Sequence, residues 1–144
     1  MGIAEEVEVR FARTDDLAWC IAEDDLVDEV VIRRKIELNE IIAAEIEGQI
    51  VGYLRLEYLW SMVPYVGVIF IQEEYQSQGI GRAILRFLEA FLRSKGHKML
   101  LSSSQVNEPS SQAWHRAVGF QECGILAGIN EGGIGEVFFR KSLT

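Results

Sequence analysis

The stretch Gln76-Ser77-Gln78-Gly79-Ile80-Gly81 decides the reading of this chain, because of what stands on either side of it. Before it runs Tyr65-Val66-Gly67-Val68-Ile69-Phe70-Ile71, a nearly continuous apolar segment of the kind shown by a strand buried on both faces. After it, Ile84, Phe87, Leu88, Phe91 and Leu92 recur at helical spacing, with Arg82, Arg86, Glu89 and Arg93 expected on the opposite face. Glycine lets a backbone approach a ligand with no Cβ in the way, and a helix start presents N–H groups that have no intrahelical partner. A buried strand, a glycine turn and an amphipathic helix in that order therefore read as a phosphate or pyrophosphate cradle, with Arg82 adding positive charge beside it.

Working outward, Pro64 introduces the apolar segment, which should be the central strand. Upstream, residues 7–11 alternate as a first strand, and Thr14 with Asp15 and Asp16 resembles the N-cap and anionic first turn of a helix that buries Leu17 and Ile21. A second helix is expected over 26–38, then a hairpin of 41–47 and 50–59 across Gly48. Downstream, Lys95 and Gly96 close the long helix, and 98–102 forms a fifth strand. Asn107 is placed to cap a short helix over 108–118, with Pro109 in its first turn and Gly119 beyond its end. Strands over 120–129 and 135–141, joined by Asn130-Glu131-Gly132-Gly133, complete an α/β sandwich with a mixed sheet. With no repeat, linker or low-complexity tract, residues 1–144 read as a single domain.

Composition narrows the function. Lys plus Arg number 14 against 22 Asp plus Glu, a net charge of −8, which lacks the basic footprint of a nucleic-acid binder. Cys20 and Cys123 show no CxxC spacing, so neither a metal site nor a disulfide framework is expected. The opening carries Glu5, Glu6 and Glu8 and no apolar signal core. The longest apolar run, 62–71, is about half the ~20 residues of a membrane span. A soluble, cytoplasmic protein with no membrane partner is expected.

Other phosphate loops do not fit. A P-loop needs a lysine after its last glycine, where this chain has Arg82, and a dinucleotide fold needs a third glycine that is missing after Gly81. The chain instead resembles the GNAT N-acetyltransferase superfamily. Gln76 to Gly81 matches that family's Gln/Arg-x-x-Gly-x-Gly/Ala motif at each fixed position, between its fourth strand and third helix. A second match is Asn107 followed by Ala113-Trp114-His115-Arg116-Ala117-Val118-Gly119-Phe120, similar to the family's later block of Asn, short helix and Gly-Phe. The start with Thr14-Asp15-Asp16 and the hairpin with Gly48, Val51 and Gly52 extend the likeness over nearly the whole chain.

The resemblance implies a GNAT-type three-layer sandwich: a mixed, mostly antiparallel central sheet of about seven strands with four helices. It implies acetyl-CoA as cosubstrate, no metal, and direct acetyl transfer to an amine acceptor in a ternary complex. The backbone amides of Gln76, Ser77, Gln78, Gly79, Ile80, Gly81 and Arg82 would hold the CoA diphosphate. The strand edge at Ile69, Phe70 and Ile71 would bond the pantetheine arm, and Asn107 would contact the same arm. An N–H at Ile69 or Phe70 would polarise the thioester carbonyl.

Two departures stand out. The family's second block often carries a tyrosine acid; here that position is His115, whose imidazole titrates near neutrality and is the candidate catalytic residue, although local packing alone would also account for it. Some members carry a glutamate base early in the fourth strand; counting back from Gln76, that position is Tyr65, which leaves the base unassigned. Glu57 acting through water is a weak substitute, while Glu73, Glu74 and His97 read as solvated. Tyr58 and Trp60 are candidates for an acceptor pocket, and Glu23, Asp24, Asp25, Asp28 and Glu29 would attract a cationic amine. Homodimers are common in such families, but no residue here marks one. Two other readings stay open at this point: an acyl-CoA-binding sensor that has lost turnover, and a nucleotide-binding module unrelated to CoA.

Overall fold

The structure, a computed structural model, describes residues 6–144, so Glu5 lies outside the described residues. In chain order the elements are β1 (Glu8–Phe11), α1 (Leu17–Glu23), α2 (Glu29–Glu37), β2 (Ile41–Ile46), β3 (Gln49–Leu59), β4 (Val63–Ile71), α3 (Ile80–Ser94), β5 (Met99–Gln105), α4 (Pro109–Ala117), β6 (Gln121–Leu126) and β7 (Glu136–Ser142). The strands form one sheet in the order β1-β2-β3-β4-β5-β7-β6. β1–β2, β2–β3, β5–β7 and β6–β7 pair antiparallel, and β4 pairs with β5 in parallel at Tyr65↔Leu101. The expected α/β class, a mixed sheet of seven strands with four helices, is the fold observed.

The chain divides into two compact units, one comprising the chain up to Glu57 with Gly67–Leu88, the other Tyr58–Val66 with Glu89–Thr144. In the first, Cys20 of α1, Ile32 and Ile36 of α2, Ile41 of β2 and Tyr53 of β3 are buried together, with Trp19, Val68 and Phe70 packed against them. The helix start differs from expectation. Thr14–Asp16 is a 3-10 turn whose N-cap is Arg13, and it is the Asp16 carboxylate that accepts the Arg13 N–H, at 2.7 Å. α2 begins only after Asp28, whose backbone is extended, so Leu26 lies outside it and is exposed. β3, not β4, is the deepest strand: residues 50–56 are all buried, whereas 67–71 of β4 are only half-buried. An apolar run alone therefore overstated how far β4 is covered.

In the second unit, β5 alternates strictly. Leu100, Ser102 and Ser104 are buried, while Leu101, Ser103 and Gln105 are half-buried on the other face. β7 continues both faces, with Ser102 opposite Phe139 and Ser103 opposite Phe138. Helix α4 starts with Pro109 at its first position as expected, but its N-cap is Glu108, not Asn107. A turn closed by Glu108 N–H to the Gln105 carbonyl, 3.1 Å, puts Asn107 one residue too early to cap. Glu89, expected on the outer face of α3, is 6% exposed, because Lys141 of β7 meets it at 2.8 Å and Arg93 approaches it at 3.5 Å.

Candidate active site

In the first unit, β4 ends at Ile71, and a 3-10 turn, Glu73–Tyr75, leads into the glycine loop. The Gln76 carboxamide donates to the Ile71 carbonyl at 2.9 Å, fastening the loop to the end of its strand. Ser77 and Gly79 take left-handed conformations, φ 63° and 85°, the second where glycine is favoured. Ile80 is buried and anchors the start of α3, while Gln76, Ser77, Gln78 and Gly79 are exposed. The first turn of α3 contains no acidic residue, and Arg82 beside it is exposed. The Gln76 N–H already donates to the Glu73 carbonyl at 3.3 Å, but exposed residues leading into a helix N-terminus, a neighbouring cation and no carboxylate in the turn suit a diphosphate chemically. Gln76 spends its side chain on shaping the loop, a role the motif alone does not reveal.

Behind the loop, packing is tight. A Cβ on Gly52 of β3 would come within 2.9 Å of the Ile71 and Ile84 side chains, so only glycine lets β3, the end of β4 and α3 meet there. Ile69, Phe70 and Ile71 are half-buried, and the Phe70 ring stacks on Tyr53 at 5.1 Å and on Trp19 at 6.2 Å. One member of the acidic group of the α1–α2 region is withdrawn from the surface. Asp24 is buried, its Oδ2 accepting from the Tyr53 hydroxyl at 2.6 Å and Arg55 Nε at 2.7 Å, while Glu23, Asp25, Asp28 and Glu29 are exposed. Burial and the neighbouring Asp24 push the Tyr53 phenol far above its ordinary range. Glu57 is ion-paired to both Arg55 and Lys35.

In the second unit, Asn107 is exposed at the turn before α4, and His115 sits within it at 2% exposure. The His115 ring lies flat on Phe139, centroids 4.6 Å apart and planes 7° apart. Its Nδ1 is 2.7 Å from the Ser111 carbonyl, which only accepts, so Nδ1 carries the proton. Nε2 then accepts from the Ser102 hydroxyl at 2.7 Å. Burial holds the imidazole below its ordinary pKa, against smaller upward pulls from the Ser111 carbonyl and Glu136. A neutral ring with both nitrogens engaged has the geometry of a core histidine, and meeting a departing thiolate would require its Ser102 bond to break.

On the other face of the same strand is a chain that the sequence reading missed. The Tyr65 hydroxyl lies 2.6 Å from Ser103 Oγ, Ser103 donates to Glu136 Oε2 at 2.6 Å, and Asn130 Nδ2 donates to Glu136 Oε1 at 2.9 Å. Tyr65 stacks on Phe138 at 5.8 Å. The period-2 alternation of Ser102-Ser103-Ser104 signalled that Ser103 faces away from Ser102, but not what it would meet. Tyr58 packs on His97, which is half-buried rather than solvated, and Trp60 projects into solvent from the β3–β4 turn, 81% exposed. Glu73 and Glu74 are exposed. A cavity of about 490 Å³ in this unit, lined by Lys98, Arg140 and Lys141 among others, contains none of the residues named for catalysis. Among the described residues, no group of three His, Cys, Asp or Glu is arranged to hold a metal ion.

Comparison with known proteins gives the family. Residues 6–120 match the Acetyltransferase (GNAT) family. An aminoglycoside N(6')-acetyltransferase type 1 of Stenotrophomonas maltophilia is 31% identical over 112 residues, covering 72% of this chain and 73% of that protein. A ribosomal-protein-alanine N-acetyltransferase from Brucella melitensis superposes with a TM-score of 0.79 at 24% identity, over 94% of this chain and 99% of that one. The structure of yncA from Salmonella typhimurium, solved with its cofactor acetyl-CoA, gives a TM-score of 0.78 at 17% identity, over 96% of this chain and 94% of that one. The chain belongs to the GNAT acetyltransferase family, and its activity is that of an N-acetyltransferase.

Proposed function

We propose that residues 1–144 act as one domain that moves an acetyl group from acetyl-CoA directly to a primary amine while both are bound. The observation that carries this reading is the fastened glycine loop at the head of α3, with its exposed residues, its left-handed Gly79 and its acid-free first turn. Acetyl-CoA supplies the activated acetyl group when bound. The amides from Ser77 to Arg82 hold the diphosphate, with Gln76 shaping the loop behind them; the edge of Ile69, Phe70 and Ile71 orients the pantetheine arm by strand-like bonds, and Asn107 contacts that arm. An N–H at Ile69 or Phe70 would polarise the thioester carbonyl, whose oxygen gains negative charge as the amine attacks. Relatives named for aminoglycoside and for ribosomal-protein-alanine acetylation both support an amine acceptor, either small or on a protein. Two free cysteines and no described helix long and apolar enough to cross a membrane support placing the protein in the cytoplasm.

The test is calorimetric. Acetyl-CoA binds the wild-type chain, and Gly79→Val, which forces a β-branched residue to φ 85°, weakens it by about tenfold or more, the strain being roughly 1–2 kcal/mol. An unchanged dissociation constant in Gly79→Val removes the loop from cofactor binding. Thiol release from acetyl-CoA across a panel of primary amines then tests transfer itself.

A further inference from the structure

Acetylating an amine near neutral pH requires a proton to leave nitrogen, since alkylammonium groups titrate near ~10. The usual strand-four position for a base holds Tyr65, a poor base by itself. The second unit, however, links that phenol to a carboxylate. Ser103 has one proton and gives it to Glu136 Oε2, because an ionised carboxylate only accepts; the 2.6 Å contact between Tyr65 and Ser103 must therefore run from the phenol to Ser103 Oγ. The donors all point one way, from Tyr65 through Ser103 to Glu136.

We propose that Glu136 is the proton sink of the acetyl transfer, reached from the acceptor amine through Tyr65 and Ser103. The proposal rests on the N-acetyltransferase reading above and deepens it. Tyr65 is the catalytic residue, meeting the acceptor nitrogen directly or across one water; Ser103 and Glu136 act through it. The acceptor attacks as the neutral amine: its nitrogen bonds to the acyl carbon, the thioester carbon–sulfur bond breaks with its electron pair leaving on the CoA thiolate, and the nitrogen's proton becomes acidic. That proton passes to Tyr65 Oη, the phenolic proton passes to Ser103 Oγ, and the Ser103 proton passes to Glu136 Oε2. One proton enters the chain, one carboxylate becomes a carboxylic acid, and both hydroxyls are restored with their bonds reversed. A phenol oxygen both donates and accepts, as this transfer needs.

Three features suit this chain to the task. Tyr65, Ser103 and Glu136 are each half-buried, so the route is neither sealed nor dissolved in bulk water. Phe138 holds the Tyr65 ring by stacking, which fixes where its hydroxyl points. Asn130, the positioning residue, donates to Glu136 Oε1 and leaves Oε2 aimed at Ser103. Tyr65 also lies on the strand whose residues 69–71 are assigned to the cofactor, four positions before Ile69.

The experiment has one arm independent of turnover. In protein labelled at tyrosine Cζ, the Tyr65 carbon resonance is followed against pH in the wild type, Glu136→Gln and Ser103→Ala, without ligand. Removing the linked negative charge makes the phenol titrate at lower pH in Glu136→Gln than in the wild type; an identical titration overturns the link. In the second arm, Tyr65→Phe and Glu136→Gln lower kcat by about 100-fold while the calorimetric Kd for acetyl-CoA stays at the wild-type value. Glu136→Asp recovers part of the loss. A Glu136→Gln enzyme with undiminished kcat overturns the proposal alone. A wild-type chain that binds acetyl-CoA yet acetylates no amine overturns the transfer reading beneath it, which is a different result.

Discussion

Ser102 and Ser103 are consecutive residues on β5, identical in chemistry, and they serve opposite ends. Ser102 is buried and gives its proton to a neutral histidine that is itself bonded to a backbone carbonyl and flattened against Phe139. Ser103, turned to the other face by the pleat, stands between a half-buried tyrosine and a half-buried carboxylate. The first arrangement is closed: every polar atom of the pair is satisfied and water is kept out. The second runs through three half-buried side chains and ends on a carboxylate. The more conspicuous titratable residue is thus the one held on every side, and the proposed proton route runs through the less conspicuous serine.

This contrast can be broken most directly by treating the two serines alike. Ser103→Ala is expected to lower kcat by about 100-fold at saturating acetyl-CoA and amine, and Ser102→Ala to leave it within about twofold; equal losses would dissolve the distinction. The next effect is on stability. His115→Phe keeps the ring stack but strands the Ser102 hydroxyl without an acceptor, costing about 1–3 kcal/mol in urea unfolding, with turnover per folded molecule unchanged. A third effect is the pH dependence of that stability. Folded His115 titrates below its unfolded value of about 6.5, so under acid conditions the unfolded chain takes up a proton that the folded one refuses. Its contribution is whole above pH ~6.5 and declines as pH falls toward the folded pKa, by at most about 1.4 kcal/mol per pH unit. Comparing unfolding midpoints from pH 5 to 8, His115→Phe should be flatter than the wild type on the acid side. The smallest effect falls on Asn130: Asn130→Ala should slow kcat by about fivefold, the worth of one net hydrogen bond, with the KM for acetyl-CoA unmoved.

What could be read from the sequence was what local pattern dictates. The glycine loop, the helix after it and the order of elements depend on neighbours within a turn or two, and each was legible from spacing. Readings failed where a partner comes from far along the chain. Glu89 belongs on the outer stripe of α3 by its spacing, but Lys141, 52 residues away, draws it inward. Ser103 and Glu136 are 33 residues apart and meet only because β5 and β7 pair in one particular register. Asp24 looked like one acid in a solvated cluster until Tyr53 and Arg55 of β3 claimed it. His115 was read from its motif position, and no local signal announces the ring of Phe139 that covers it. Asn107 fell one residue short of its capping role because helix starts are set by a single turn, here the one closed on Gln105.

The bond from Gln76 to the Ile71 carbonyl has a kinetic consequence. In the proposed binding mode, a loop already held in shape grips a part of the cosubstrate that the reaction leaves untouched, so its contribution to holding acetyl-CoA and spent CoA is nearly equal. Binding energy of that uniform kind tightens both complexes without lowering the barrier between them. Free CoA should therefore compete at concentrations close to those of acetyl-CoA itself, and the rate of its departure sets a ceiling on how fast this enzyme cycles.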